Sequence, residues 1–242
     1  MIIPVPILTY HQIDAAPPRG APFRSLYASP GAFGRQMAWL ARLGYQGLCM
    51  SALMPYLTGE KQGKVVGITF DDGYLNNLTS ALPVLQRHGF SATCYVVSQR
   101  LGQTNDWDAA IGVAQARLMN AGHLREWLAA GQEIGAHSRQ HARLTALPLA
   151  AAREEIAWPK AELEHITGQA VRHFCYPFGD YAPEHAAMVQ QAGYSSATTT
   201  QRGRAHSGDN VFQLPRVPVL RATTRPALWL KIATAYEDRR RQ

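Results

Sequence analysis

Two adjacent carboxylates, Asp71 and Asp72, follow an apolar, β-branched stretch at 65–70, and Gly73 comes directly after them. The apolar stretch is typical of a buried strand, and the glycine allows a sharp turn at its end. Two acids side by side at the end of a buried strand raise the cost of ionising both. A bound cation is the simplest way to offset that repulsion. The pair therefore predicts metal or acid–base chemistry, against the alternative of a plain solvated turn.

His137 and His141 form a second group, four residues apart. On a helical turn or a compact loop this spacing puts both rings on one side, as a shared metal requires; the alternative is two exposed histidines. Two histidines and one carboxylate are a common ligand set that leaves positions open for water and substrate. A metal there would lower the pKa of its bound water from about 15.7 towards about 7. One aspartate of the pair would remain to act as a base.

These residues need a fold that brings strand ends together. A glycine that closes an amphipathic helix and leads into a β-prone run recurs at residues 44, 89, 131 and 193, which is the usual connection from helix to strand. The repeat predicts strand–helix units and a largely parallel sheet, built as a barrel or a doubly wound sheet in one domain over 1–242. Candidate strands lie near 5–10, 46–50, 65–70, 91–97, 132–137, 171–177, 195–200 and 211–219.

In parallel α/β folds, functional side chains collect at the carboxyl ends of the strands. The first predicted strand ends at His11, and three later strands lead to Asp71, to His137 and to the segment Pro177–Asp180. We therefore expect these four strand ends to form one site.

The bulk composition narrows the class of protein. The 242 residues are 46% hydrophobic and 17% charged, as in folded globular proteins. The net charge of +7 comes without a dense basic and aromatic stretch, which argues against a nucleic-acid partner and is compatible with an anionic one. Three cysteines without CxxC spacing exclude a disulfide scaffold. No apolar run approaches the roughly 18 residues of a membrane span, and no signal peptide is recognisable, so we expect a cytoplasmic protein of open oligomeric state.

The segment Thr69–Gly73 (Thr-Phe-Asp-Asp-Gly), followed by His137-Ser138-x-x-His141, resembles the first two motifs of the polysaccharide deacetylase family, which is the NodB-homology domain of carbohydrate esterase family 4. Tyr176–Gly179 resembles its third motif, and Thr9–His11 and Leu214–Arg216 resemble a bacterial subgroup. The resemblance extends over nearly the whole chain. It implies a distorted (β/α)7-type barrel in a single domain, and a metal-dependent hydrolase that removes acetyl groups from sugars.

The resemblance also implies roles for single residues. Asp71 would be the general base, and the backbone N–H of Phe178 would help to stabilise the oxyanion. One divalent ion, with Zn²⁺ as the first choice, would be held by three ligands: Asp72, His137 and His141. We expect substrate contacts from Tyr176, Pro177 and Trp107; for Trp107, packing in the core is the alternative.

Two departures from the family pattern need substitutes. Many members carry an arginine at the position of Cys175, where it holds the catalytic aspartate; Arg172 should point to the other face of its strand, so Arg216 is the preferred substitute, with a surface charge as the alternative. The family's Leu-x-His motif, which supplies a general acid, is also absent. His11 at the end of the first strand is the preferred candidate, with His206 in a polar loop as the second.

Three functions remain open from the sequence. The leading prediction is a metal-dependent deacetylase of an N-acetylated, or O-acetylated, glycan or sugar conjugate. The alternative is an amidohydrolase acting on a small non-sugar C–N bond; the lack of an export signal favours either this reaction or a lipid-linked sugar substrate. The third is a non-catalytic glycan-binding domain. The intact Asp-Asp pair and the two histidines argue against it, because a binding domain has no need to keep an unligated carboxylate beside a metal.

Overall fold

The computed structural model describes residues 4–241 and contains a closed ring of seven parallel strands. Residues 4–241 contain ten strands, of which seven form the ring: β1 (Ile7–Tyr10), β2 (Gln12–Ile13), β3 (Tyr27–Ala28), β4 (Gln46–Leu48), β5 (Val65–Phe70), β6 (Thr93–Val96), β7 (Glu133–Ala136), β8 (His173–Cys175), β9 (Ser196–Arg202) and β10 (Leu214–Pro218). The ring runs β1–β5–β6–β7–β8–β9–β10 and closes where β10 pairs with β1. The prediction of a (β/α)7-type barrel is confirmed, and the doubly wound sheet is excluded.

Among residues 4–241, six α-helices lie between strands and a seventh follows the last strand: α1 (Pro30–Arg42), α2 (Met50–Leu57), α3 (Leu82–His88), α4 (Ala121–Ala129), α5 (Leu149–Thr167), α6 (Pro183–Gln191) and α7 (Arg225–Ala233). Helix α1 illustrates how the sequence sets their limits. The Ser29 hydroxyl accepts a hydrogen bond from the Ala32 N–H at 3.2 Å, and Pro30 occupies the first turn. Within residues 4–241, no helix is long and apolar enough to cross a membrane.

The ring is distorted at one seam, between β5 and β6. The first half of β5 pairs with β4, which lies outside the ring, and only its last two residues pair with β6. Gly47 allows β4 to pack this closely beside β5, because a Cβ at that position would lie 2.6 Å from Ile68 Cδ1. The strands of the barrel are therefore closer together at the carboxyl end of β5 than at its amino end.

Alternation along the strands separates two cores. In β5, Val66, Ile68 and Phe70 pack in the larger core with the surrounding helices, whereas Val65 belongs to a smaller core with Tyr95 and Cys175. Because successive side chains of a strand point to opposite faces, the smaller core fills the barrel interior. Thr69 and Asp71 share the parity of Val65, so the strand directs them inward.

Gly135 tests how tightly this interior is packed. A Cβ at Gly135 would lie 2.5 Å from Tyr95 Cε1 and 2.9 Å from the backbone oxygen of His173. Gly135→Ala should therefore lower the free energy of unfolding by about 1–3 kcal/mol, measured by urea denaturation. Gly34→Ala in α1 is the matched control, since its Cβ meets only Val84 Cγ2 at 4.0 Å; it should leave stability unchanged or raised. Equal stability of the two variants would contradict this packing.

Candidate active site

One cavity, of about 410 Å³, opens at the carboxyl ends of the barrel strands. Four inward-facing residues at these ends line it: His11 after β1, Asp71 after β5, His137 after β7 and Arg216 in β10. The carboxyl ends of parallel strands meet at one end of a barrel, so residues far apart in the sequence come together.

Arg216 forms an ion pair with Asp71 inside the barrel. Its Nη1 donates to Asp71 Oδ1 and its Nη2 donates to Oδ2, each at 2.7 Å. Two further donors are used by the Thr199 carbonyl, 2.8 Å from Nε, and the Thr69 hydroxyl, 3.1 Å from Nη1. Burial acts to raise the pKa of Asp71, but the charge and hydrogen bonds of Arg216 outweigh it and the pKa lies below its ordinary value.

Cys175 occupies the position at which the resemblance stated above implies an arginine. Its side chain is buried, and its Sγ lies 3.2 Å from Arg216 Nη2. Arg172 is exposed, as the strand parity predicts. The guanidinium beside Asp71 therefore comes from β10 instead of β8. The small Cys175 side chain leaves room for the Arg216 guanidinium.

Asp72, His137 and His141 form a compact group of metal-ligand atoms. Asp72 Oδ1 lies 3.4 Å from His137 Nε2 and 3.3 Å from His141 Nε2, and all three side chains are buried. Ligands bound at 2.0–2.2 Å around a tetrahedral zinc ion lie about 3.3 Å apart. The donor types and their separation fit one divalent ion.

The two imidazoles both direct Nε2 at Asp72. His137 Nδ1 donates to the Cys175 carbonyl at 2.8 Å, so Nε2 is the nitrogen that a metal would bind. Burial acts to lower the pKa of His137, but Cys175 and Asp72 outweigh it and the pKa lies well above its ordinary value. Burial lowers the pKa of His141, which favours the neutral ring that a metal binds. Burial alone would raise the pKa of Asp72, but the neighbouring imidazoles of His137 and His141 hold it well below its usual range.

The backbone at this group is strained. Three residues adopt left-handed backbone conformations, which are energetically unfavourable for residues other than glycine: Asp72 (φ 74°), Ser138 (φ 60°) and His141 (φ 60°). Such conformations cost of order 1–3 kcal/mol each and persist only where the surroundings enforce them. Part of that enforcement is local, because the His141 N–H donates to the Ser138 hydroxyl at 2.9 Å.

Glu155 of α5 supports the same loop from outside the barrel. Its Oε2 accepts hydrogen bonds from the backbone N–H groups of Arg139 and Gln140, at 3.0 and 2.9 Å. The side chain is buried and 8% exposed. Sequence reasoning missed this residue, because nothing in its spacing links a helical glutamate to a loop that lies 15 residues earlier.

The structure gives different positions to the remaining candidates. His11 lines the cavity with its Nε2 3.9 Å from Asp71 Oδ2, whereas His206 is exposed and lies beside Asp238. Trp107 stacks on the His141 ring at 4.3 Å between centroids and lines the cavity. Tyr176 and Phe178 also line it. Pro177 is buried and is not among the lining residues, and its contact with substrate stays a prediction.

The chain is similar to several known proteins. The family model for polysaccharide deacetylase matches residues 58–197, which is more than half of the chain. The protein YxkH of Bacillus subtilis (strain 168), which is named as a polysaccharide deacetylase, is 29% identical to this chain over 217 residues. The match covers 89% of this chain and 71% of YxkH.

Two solved structures have the same fold. BC0361, a polysaccharide deacetylase from Bacillus cereus, is 28% identical with a TM-score of 0.79, over 95% of this chain and 69% of that one. The Streptococcus pyogenes deacetylase PplD, in complex with acetate, is 23% identical with a TM-score of 0.82, over 96% of this chain and 99% of that one.

Removal of the Glu155 carboxylate should weaken metal binding without unfolding the chain. Glu155→Ala frees two backbone donors of the histidine loop, and we expect zinc affinity to fall about 10–100-fold, the usual effect of losing a residue that orients metal ligands. Glu155→Gln should lie close to the native protein, because its amide oxygen can still accept both bonds. The exposed neighbour Glu154→Ala is the control. Native zinc affinity of Glu155→Ala in a chelator competition would refute this role.

Proposed function

Since this chain belongs to the polysaccharide deacetylase family of the carbohydrate esterase 4 kind, we propose that it is a metal-dependent hydrolase that removes acetyl groups from an N-acetylated, or O-acetylated, glycan or sugar conjugate. The observation that carries the proposal is the different surroundings of two adjacent acids. Asp72 lies with two histidines, and Asp71 lies with a buried arginine. One acid is thus available as a metal ligand and the other as a base.

In this proposal Asp72, His137 and His141 hold one divalent ion, with Zn²⁺ as the first choice. Such an ion lowers the pKa of bound water and polarises a carbonyl oxygen. The separation of the ligand atoms and the hydrogen bond from His137 Nδ1 to the Cys175 carbonyl support this assignment. His141 keeps a buried Nδ1 without a hydrogen-bond partner among residues 4–241, so its ring is oriented by packing against Trp107 and Phe178.

Asp71 acts as the general base that takes a proton from the attacking water. The ion pair with Arg216 keeps the carboxylate ionised and fixes both of its oxygens. Each oxygen has a second lone pair, so the bidentate pair leaves room to accept the proton. Arg216 is thus a positioning residue that acts through Asp71.

Two further groups complete the proposed reaction. The backbone N–H of Phe178 donates to the oxyanion that forms when water attacks the acetyl carbonyl. The His11 imidazole, which lines the cavity near Asp71, donates a proton to the departing amine. Trp107 and Tyr176 line the space that a sugar ring would occupy, and they are the proposed contacts to the substrate.

The two aspartates should respond oppositely in a test of metal content. His137→Ala and Asp72→Asn should lose the ion that the native protein retains, because each removes one of three ligands. Asp71→Asn should keep the ion and lose acetate release by at least about 10²-fold, because general base catalysis contributes about that much. Metal content by mass spectrometry and acetate release from acetylated sugars are the two measurements. An Asp71→Asn variant that turns over at the native rate would remove the base assignment.

A strand exchange tests the role of Arg216. Arg216→Cys leaves Asp71 without its cation, and a buried unpaired charge costs about 3–5 kcal/mol of stability. Burial then favours the protonated form of Asp71, which cannot accept a proton. We therefore expect acetate release to fall by more than the loss of stability explains. The double variant Arg216→Cys with Cys175→Arg returns a guanidinium to the strand that carries it in many family members, and it should recover part of the activity. Circular dichroism checks that each variant is folded. Native activity in a folded Arg216→Cys protein would disprove the positioning role.

A further inference from the structure

Phe178 provides a fixed surface at the mouth of the cavity. It has a φ of 59° and precedes Gly179, whose φ is 70°. A Cβ at Gly179 would lie 2.7 Å from Thr200 Cβ, so only glycine fits this turn against β9. The Thr200 hydroxyl also donates to the Phe178 carbonyl at 3.4 Å. The turn therefore fixes the backbone that carries the Phe178 ring.

The Phe178 ring connects the metal-ligand group to a cation. It meets the His141 ring edge to face, with 4.4 Å between centroids. The guanidinium carbon of Arg143 lies over the same ring, 4.0 Å from its centroid. Arg143 is exposed and lines the cavity. One aromatic ring thus separates this guanidinium from His141.

Arg143 forms no close ion pair. Among residues 4–241, no acidic oxygen lies within 4 Å of its guanidinium, which lies over the Phe178 ring. Asp108 lines the same cavity and interacts with the Arg143 charge at longer range only. The other arginine in the lining, Arg216, is fully paired with Asp71. Stacking on an aromatic face leaves the in-plane N–H donors of a guanidinium free for an anion.

We propose that Arg143 is a specificity-determining residue that binds an anionic substituent, a phosphate or a carboxylate, on the acetylated sugar. The inference rests on the proposed function and adds a substrate class to it. Because one ring joins Arg143 to His141, the anionic group lies on the acetylated sugar residue itself or on its direct neighbour. A net charge of +7 is compatible with such a substrate.

Three small sugars test the subsite and separate the two anions. N-acetylglucosamine 1-phosphate carries a phosphate, N-acetylmuramic acid carries a carboxylate, and methyl N-acetylglucosaminide is neutral. Affinities are measured by calorimetry and acetate release by kinetics, on zinc-loaded native protein and on Arg143→Gln. Arg42→Gln, an exposed arginine of α1 that is not among the cavity-lining residues, is the control with the same change of charge.

We expect the native protein to bind at least one anionic sugar roughly tenfold or more tighter than the neutral one, since hydrogen bonds to charged groups are the strong ones. Arg143→Gln should abolish that preference, raise KM for the anionic sugar and leave kcat and the neutral sugar within about twofold. The identity of the preferred sugar then assigns phosphate or carboxylate. Equal native affinity for all three sugars, or an equal loss for neutral and anionic sugars in Arg143→Gln, would overturn the proposal.

The calorimetric measurement does not depend on turnover. Anion preference that disappears in Arg143→Gln, together with no acetate release from any sugar, would support the subsite and count against the proposed function. Acetate release from all three sugars with no anion preference would do the reverse.

Discussion

The buried pair of Asp71 and Arg216 is the constraint on which the site depends. Neither charge is more than 3% exposed, and a buried carboxylate without a partner is costly enough to favour its protonated form. The arginine meets it through both oxygens, and the Thr199 carbonyl and the Thr69 hydroxyl take further donors. Thr69 in turn donates to the Leu8 carbonyl at 2.7 Å. The pair is thus tied to four strands of the barrel, and the small Cys175 is what leaves room for it.

Strand parity explains how far the sequence could predict this arrangement. Inward and outward positions alternate, so Asp71, His137 and Arg216 could be assigned to one end of the barrel, and Arg172 could be rejected. Glu155 and Arg143 could not be found in this way, since their positions depend on how α5 and the loop after β7 pack. Motif membership did not separate two neighbours: Pro177 and Phe178 share a motif, but Pro177 is buried whereas Phe178 lines the cavity.

The strained residues link the outer helices to the proposed chemistry. Left-handed backbone at Ser138 and His141 puts two imidazoles beside one carboxylate, a geometry that a relaxed loop would not keep. The opposing force comes from Glu155 on α5, a helix that lies outside the barrel. The helical layer therefore does more than cover the sheet, because Glu155 fixes the backbone that carries two of the proposed metal ligands.

The seven-strand ring closes where the first and last strands pair, and this joins folding to catalytic competence. Asp71 follows a strand in the first third of the chain, whereas its cation arrives 145 residues later on β10. Until β10 docks between β1 and β9, the Asp71 carboxylate has no counter-ion and must stay hydrated. Water can leave the interior only when the ring is complete. A nascent or partly unfolded chain therefore lacks the paired Asp71 carboxylate, which is the proposed base, and the ionised, buried state of Asp71 depends on closure of the barrel.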